Sequence, residues 1–348
     1  MGLVVGGLAS LLALRASGRF SENAFPSVLF ALVYVWHLVV LPPLVLLWIL
    51  SALLGKTRKL LRPSPPLPRP TPAPEPLGAL PRRTFLGAAL TASPALIALG
   101  ATARGLSSLD HFRIRRLEVP LASLPPSLDG LSIAHVSDSH VGRFTHGRVL
   151  EQIVHSTNAL DADLVLFTGD LVNYSLDDLP AGLELLKGFR ARHGVVAVEG
   201  NHDLLADPRR FRKETAAAIP LLVNESLRLN LGASTIELLG LAWGGSVESL
   251  LQKRQNPGAL PLLLAHHPHA FDQAEGIPLT LSGHTHGGQL MLNERLGVGP
   301  AMFRYWSGLY RKNQRALVVS NGVGNWFPLR THAPAEITHL ILRRAEPT

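Results

Sequence analysis

No charged residue occurs between Ala24 and Gly55, a run that reads AFPSVLFALVYVWHLVVLPPLVLLWILSALLG. About 20 apolar residues suffice to cross the hydrocarbon core of a bilayer. The run is therefore read as a membrane span rather than as one buried helix of a soluble core. Trp36, His37 and the Pro42-Pro43 pair interrupt it and predict a kink or tilt. Gly2 to Leu14 is also apolar, though short, and offers a further span. Residues 1–55 are thus expected to form the N-terminal membrane segment or segments.

A basic, proline-rich stretch follows. Lys56, Arg58, Lys59 and Arg62 come directly after the apolar run, and nine prolines fall between Pro63 and Pro81. Such a composition favours extended polyproline II and builds no core, so residues 56–83 read as a linker. Arg82-Arg83-Thr84-Phe85-Leu86 then leads into GAALTASPALIALGATARG. Residues 84–105 resemble either a second transmembrane helix or a twin-arginine export signal, and both give the same topology. Seven Lys and Arg between Lys56 and Arg83 put the linker on the cytoplasmic side. The chain after Ala103 is then expected outside the cytoplasm, anchored to a bacterial inner membrane.

The charge balance changes meaning in this light. The whole chain carries a formal net charge of +8, a value that by itself suggests nucleic acid or an anionic surface. Residues 1–116 hold 13 Lys and Arg against three acids, whereas residues 117–348 hold 20 against 22. The excess orients a membrane segment, and the slightly acidic remainder argues against nucleic acid as a partner. The absence of cysteine excludes a disulfide scaffold, an iron–sulfur site and a thiolate zinc site. Fifteen histidines leave imidazole as the ligand to look for.

Residues 117–348 read as a soluble α/β domain. Short β-rich runs LSIAHV (131–136), DLVLFT (163–168) and GVVAVE (194–199) alternate with helical patterns over 146–160 and 179–192. PLLLAH (261–266) and PLTLS (278–282) continue the series. Later runs at 235–242, 316–320 and 336–343 have fewer helices between them. The expected architecture is two packed mixed β-sheets flanked by helices.

Metal-ligand residue types end most of these runs: Asp138 and His140, Asp170, Asn201-His202-Asp203, His266, then His284 and His286. Sites in open α/β sheets form beyond the carboxyl ends of strands, so these five loops can converge. Carboxylate, imidazole and amide oxygen without thiolate suit a pair of divalent ions such as Mn, Fe, Zn or Co. In Asp138-x-His140 and His284-x-His286, alternate residues of an extended backbone point the same way. Gly169, Gly200 and Gly283 are expected to permit sharp turns beside the ions.

The ordered set D-x-H, G-D, G-N-H-D, a lone H and G-H-x-H resembles the calcineurin-like metallophosphoesterase family over roughly residues 128–345. Gly283 to Gln289 and the Ala265-His266-His267-Pro268 context are similar to its bacterial membrane-associated branch, as is the segment from Asn321-Gly322 to Arg330. The resemblance implies a metallophosphoesterase-like sandwich holding two metals. Asp138, His140, Asp170 and His286 would hold the first, and Asp170, Asn201, His266 and His284 the second, with Asp170 bridging. A hydroxide shared by the ions would attack phosphorus. His202 would protonate the leaving oxygen or stabilise the phosphoryl group, with Asp203 orienting it. Asn173 stands where many members carry an acid, and His267 where an asparagine is common.

The implied substrate is a phosphomonoester, phosphodiester or pyrophosphate, and a bilayer anchor favours lipid-linked forms. Two other readings stay open: a UDP-2,3-diacylglucosamine-type pyrophosphatase on the cytoplasmic side, and a catalytically weak metal-binding scaffold, to which Asn173 would point. Lone histidines are more often packed or solvated than ligating, a reading given to His37, His111, His155, His193, His332 and His339. His269 reads as surface, His135 as a packed neighbour of the site, Gly287-Gly288 as a tight turn, and the basic run from Arg209 to Lys213 as a solvated helix face. Oligomeric state is not legible.

Overall fold

The computed structural model describes residues 26–60, 82–254 and 258–345. They fall into two compact units that divide at Ser107/Ser108. Gly2 to Leu14, most of the linker and Pro81 lie outside the described residues.

The first unit contains two helical stretches long and apolar enough to cross a membrane, Ser27–Thr57 and Arg82–Ser107. The former is built from α1 (Ser27–Val35), a wide π-turn over Trp36–Val40, and α2 (Leu41–Leu60). The expected interruption is thus a widened turn. Pro42 and Pro43 provide no N–H, and their rings crowd the carbonyls one turn back, which the extra residue per turn relieves. α2 runs through Lys56 to Leu60, so the first residues assigned to the linker are helical. The second stretch, α3 (Arg82–Ser107), carries Pro94 in its interior. Pro94 leaves the Leu90 carbonyl without its amide, and the Ser93 hydroxyl donates to that oxygen at 3.0 Å. α1 packs on α3, and Phe30, Ala31 and Val33 of α1 are buried, while Leu46, Trp48, Leu90 and Leu96 lie exposed. Such surfaces are costly in water and natural in lipid.

The second unit holds eleven strands: β1 (Phe112–Leu121), β2 (Ser132–Val136), β3 (Leu164–Thr168), β4 (Val195–Val198), β5 (Glu225–Leu231), β6 (Ser234–Leu241), β7 (Leu260–Ala265), β8 (Leu279–Ser282), β9 (Gly308–Lys312), β10 (Arg315–Val319) and β11 (Ala335–Arg344). Two mixed sheets result, in the orders β1-β11-β2-β3-β4 and β5-β6-β7-β8-β10-β9. The expected pair of mixed sheets is therefore observed. β2, β3 and β4 are mutually parallel, as are β6, β7, β8 and β10. β1 lies outside the sequence reading: it pairs in parallel with β11 from Phe112↔Ala335 to Leu121↔Arg344, so the unit begins before residue 117.

All five residues of β3 are buried, because each face meets a different apolar layer. Leu164 and Leu166 point between the sheets, toward Leu238, Leu262, Leu264 and Leu281 of the opposing sheet. Val165 and Phe167 point outward, onto α4 (Arg148–Asn158) through Val149 and Ile153, and onto α5 (Leu179–Gly188) through Leu185 and Leu186. A continuous apolar run is what a strand covered on both faces requires. Truncating Leu166 to alanine would cost about 2–5 kcal/mol. The basic run lies on α6 (Pro208–Ala218). It is not wholly solvated: Arg212 makes two bonds to the buried Glu199 carboxylate, at 2.7 and 2.8 Å.

Candidate metal centre

The loops after β2, β3, β4, β7 and β8 lock together through main-chain bonds. Asp138 N donates to Gly169 O at 2.9 Å and His140 N to Asp170 O at 3.0 Å, which stitches the first two loops side by side. His266 then reaches across to the other sheet, its Nδ1 bonding the Thr168 carbonyl at 2.7 Å. His284 N donates to both oxygens of Asp138, at 3.0 and 3.1 Å.

The local backbone differs from the sequence expectation. Asp138, His140, Asp170, His284 and His286 have φ of 54°, 43°, 57°, 72° and 50°, all in the left-handed region rather than extended. Asp138 and His140 stay together, but the second x-spaced pair divides, as the family resemblance implied: His286 joins Asp138 and His140, while His284 joins Asp170 and His266. Of the three glycines, only Gly169 makes a left-handed turn, with φ 90°. Gly200 and Gly283 serve close approach, because a Cβ at either would collide with the Asp170 or Asp138 carboxylate.

Seven side chains converge. His140 Nε2 and His286 Nε2 lie 3.0 Å apart, and His286 Nε2 is 3.3 Å from Asp138 Oδ1. Asp170 Oδ2 stands between the groups, 3.5 Å from His140 Nε2 and 3.1 Å from His266 Nε2. Asn201 Oδ1 is 2.9 Å from His284 Nδ1. Only one of two ring nitrogens 3.0 Å apart can carry a proton between them. His266, held through Nδ1 to a carbonyl, turns Nε2 inward in the manner of a ligand with a fixed tautomer. This buried oxygen and nitrogen donor set fits divalent cations.

Burial and the acids set the charge. Burial pushes His140 and His286 well below the ordinary imidazole value, and lowers His284 to about 3. Burial also acts to lower His266, but the Asp170 carboxylate beside it prevails and raises it to about 9. For Asp170 the order is the same: burial acts to raise it, and His266 holds it below the usual carboxylate range. Burial lifts Asp138 to about 6.

His202 sits half-buried at the edge of the cluster, its ring edge-on to His140 with centroids 4.6 Å apart. Its Nδ1 bonds the main-chain oxygen of Asn173 at 2.6 Å, so the residue that replaces the family's acid holds the ring through its backbone. Asp203 does not orient His202, contrary to expectation. Its carboxylate accepts from the amides of Asp170, Leu171, Val172 and Gly200, at 2.8 to 3.1 Å, and so clamps the loops after β3 and β4 together. Those amides favour the ionised form, against burial and the Asp170 charge, which push the group up to about 8.

Two neighbours escaped the sequence reading. Arg330 lies half-buried behind His286, donating to its Nδ1 at 2.9 Å and to the carbonyls of Asn321 and Gly324. Trp243 packs its ring near His266, His267 and His284. A lone arginine in a loop and a tryptophan beyond a strand carry no spacing signal, although Arg330 ends the segment noted for its likeness to one family branch. His135 is buried and bonds Thr168 Oγ1, as a packed neighbour should, and His269 is exposed. Gly287 and Gly288 form the expected tight turn.

Residues 131–288 match the calcineurin-like phosphoesterase family. Over that region the chain is a calcineurin-like phosphoesterase domain. A transmembrane protein with metallophosphoesterase domain from Danio rerio is 32% identical over 286 residues, covering 76% of this chain and 63% of that protein. An uncharacterized metallophosphoesterase from Helicobacter pylori (strain ATCC 700392 / 26695) is 31% identical over 61% of this chain and 60% of its own length. Phosphodiesterase YaeI of Escherichia coli (strain K12) is 28% identical over 60% of this chain and 81% of its own. The chain spans about three fifths of the length of the first of these curated relatives. Calcineurin-like phosphoesterases use divalent metals, and the three acid–histidine groups of this site suit that use.

Proposed function

We propose that the chain is a membrane-anchored, dinuclear-metal phosphoesterase that hydrolyses phosphomonoester, phosphodiester or pyrophosphate bonds, with lipid-linked substrates among them. The observation that carries the reading is the position of Asp170 between two imidazole groups. Asp138, His140, Asp170 and His286 would hold one ion, and Asp170, Asn201, His266 and His284 the other. Divalent ions there would lower the pKa of water and offset charge on the phosphoryl oxygens. His202 supplies the proton for the leaving oxygen from Nε2, since Nδ1 is committed to the Asn173 carbonyl. Asp203 holds the amide-lined floor beneath Asp170 in place.

Asn173 lends no support to the scaffold reading, because its carbonyl, rather than a side-chain acid, positions His202. The name of the Escherichia coli relative favours diesters among the substrates. The domain is proposed to lie outside the cytoplasm, from the basic flank of the first span. The full chain, purified in detergent, should hydrolyse aryl phosphate mono- or diesters with Mn or a similar ion, stop on chelation, and recover on metal return. His202→Ala should keep its metals and lose turnover by about 10²–10⁴. A fully metallated chain inert toward a broad panel overturns the reading. A C-terminal reporter active in the cytoplasm would instead revive the nucleotide–lipid pyrophosphatase.

A further inference from the structure

Five large apolar side chains lie exposed among the described residues of the second unit, and four of them fall in one short segment. They are Leu292 (73%), Leu296 (58%), Val298 (38%) and Met302 (68%), with Leu205 the exception. Exposed apolar residues scattered singly need no explanation, whereas a cluster marks a contact.

The local structure makes these four one surface. Leu292 N donates to Leu296 O, and Met291 bridges Gly297, so Leu292 and Leu296 flank one tight turn. Val298 N returns to Leu290 O, and the short helix Val298–Met302 sets Val298 and Met302 one turn apart on a single face. The segment is anchored rather than loose: Gly299 lies against Gly288, and Met291 N bonds the Thr331 carbonyl. Exposed Arg295 and Arg304 accompany the apolar four; Glu294 is the one acid between Leu290 and Arg304 in sequence, and Arg304 also meets the Asp272 carboxylate at 3.4 Å. The segment starts four residues after His286, and its far end returns to the site, where the Phe303 ring meets that of His284 at 6.0 Å.

We infer that residues 290–304 are a lip that docks on the anionic surface of the bilayer holding the chain, with Leu292, Leu296, Val298 and Met302 entering the headgroup–acyl boundary. The inference rests on the membrane-anchor reading and names its consequence for substrate: phosphoesters in lipid headgroups. Two further observations select a bilayer over a protein partner. Only residues 108–111 separate α3 from β1, a tether that spans at most about 14 Å when extended. The apolar four are joined by arginines, the composition that binds anionic interfaces. A lip on the surface would put the His284 side of the centre beside phosphates that a diffusing soluble substrate does not need.

The chain has no cysteine, so single-cysteine labelling needs no background removal. Leu296→Cys and Met302→Cys, with Glu184→Cys on exposed α5 as reference, would each carry a polarity-sensitive dye. The full chain is reconstituted in phosphatidylcholine vesicles containing phosphatidylglycerol, and acyl-chain spin-labelled lipid is the quencher. Quenching at 296 and 302 at least about threefold above that at 184 is expected, with a blue-shifted emission, as for side chains at the acyl boundary. Equal quenching at all three positions, in vesicles that retain the chain through an alkaline wash, overturns the lip and leaves the anchor intact. Release of the chain by that wash overturns the anchor and the lip together. Leu292→Ser/Leu296→Ser, which removes only exposed carbon, should leave hydrolysis of a soluble aryl phosphate unchanged and bring quenching at 302 down to the level at 184.

Discussion

Each half of the candidate metal centre has an acid and two imidazoles, yet their charges differ. In one half, Asp138 with His140 and His286, burial keeps both rings neutral. In the other, Asp170 lies against His266 and raises it to about 9, so that ring is protonated at neutral pH before any cation arrives. The second nitrogens differ as well. His266 turns Nδ1 to a carbonyl, an arrangement that leaves Nε2 for a cation, whereas His286 turns Nδ1 to the Arg330 guanidinium. A guanidinium only donates, so His286 keeps its proton on Nε2 until ring or guanidinium turns. Identical residue types would therefore give one half that binds a cation by losing a proton and one that binds it by rearranging.

The largest effect should follow from removing the residue the halves share. Asp170→Asn should cut turnover by about 10³ or more and lower metal content in both halves, read by elemental analysis. It should also let His266 fall from about 9, since burial is then opposed only by the Asp138 charge and the Thr168 carbonyl. Loss of one ion with turnover intact would show that the halves are independent. A smaller effect separates the halves in wild type. His266 binds its proton most firmly below pH 9, so a cation competes with that proton throughout the neutral range. Affinity of that half should rise about tenfold per pH unit from 7 to 9, with one proton released per ion. His140 and His286 are already neutral and Asp138 titrates near 6, so the other half should be flat over the same window. Calorimetric titration in buffers of different ionisation enthalpy reads both slopes, and equal slopes would erase the distinction. The smallest effect is expected at Asn173. Asn173→Asp restores an acid but leaves the carbonyl that holds His202, so turnover should change by less than about threefold.

What was legible in the sequence was whatever a strand end announces. Asp138, His140, Asp170, Asn201, His266, His284 and His286 each follow a β-rich run, and tertiary pairing needed only to gather them. Asp203 sits in the same motif, but its partners are four main-chain amides whose positions exist only after the loops fold. β1 was missed because FRIRRLEVPL is an edge strand carrying charges and Pro120. Its identity comes from pairing with β11, more than two hundred residues away. The left-handed backbone at five of these site residues was equally hidden, since asparagine or glycine, not histidine, ordinarily signals that conformation.

That backbone has a consequence for how such a chain can change over generations. Five side chains held at positive φ work against the fold, by about 1 kcal/mol each relative to glycine. Drift toward stability alone would replace them first, so a lineage with no cation to bind there would lose these residues before its core. Their joint presence leaves the fold carrying strain that its apolar core does not require.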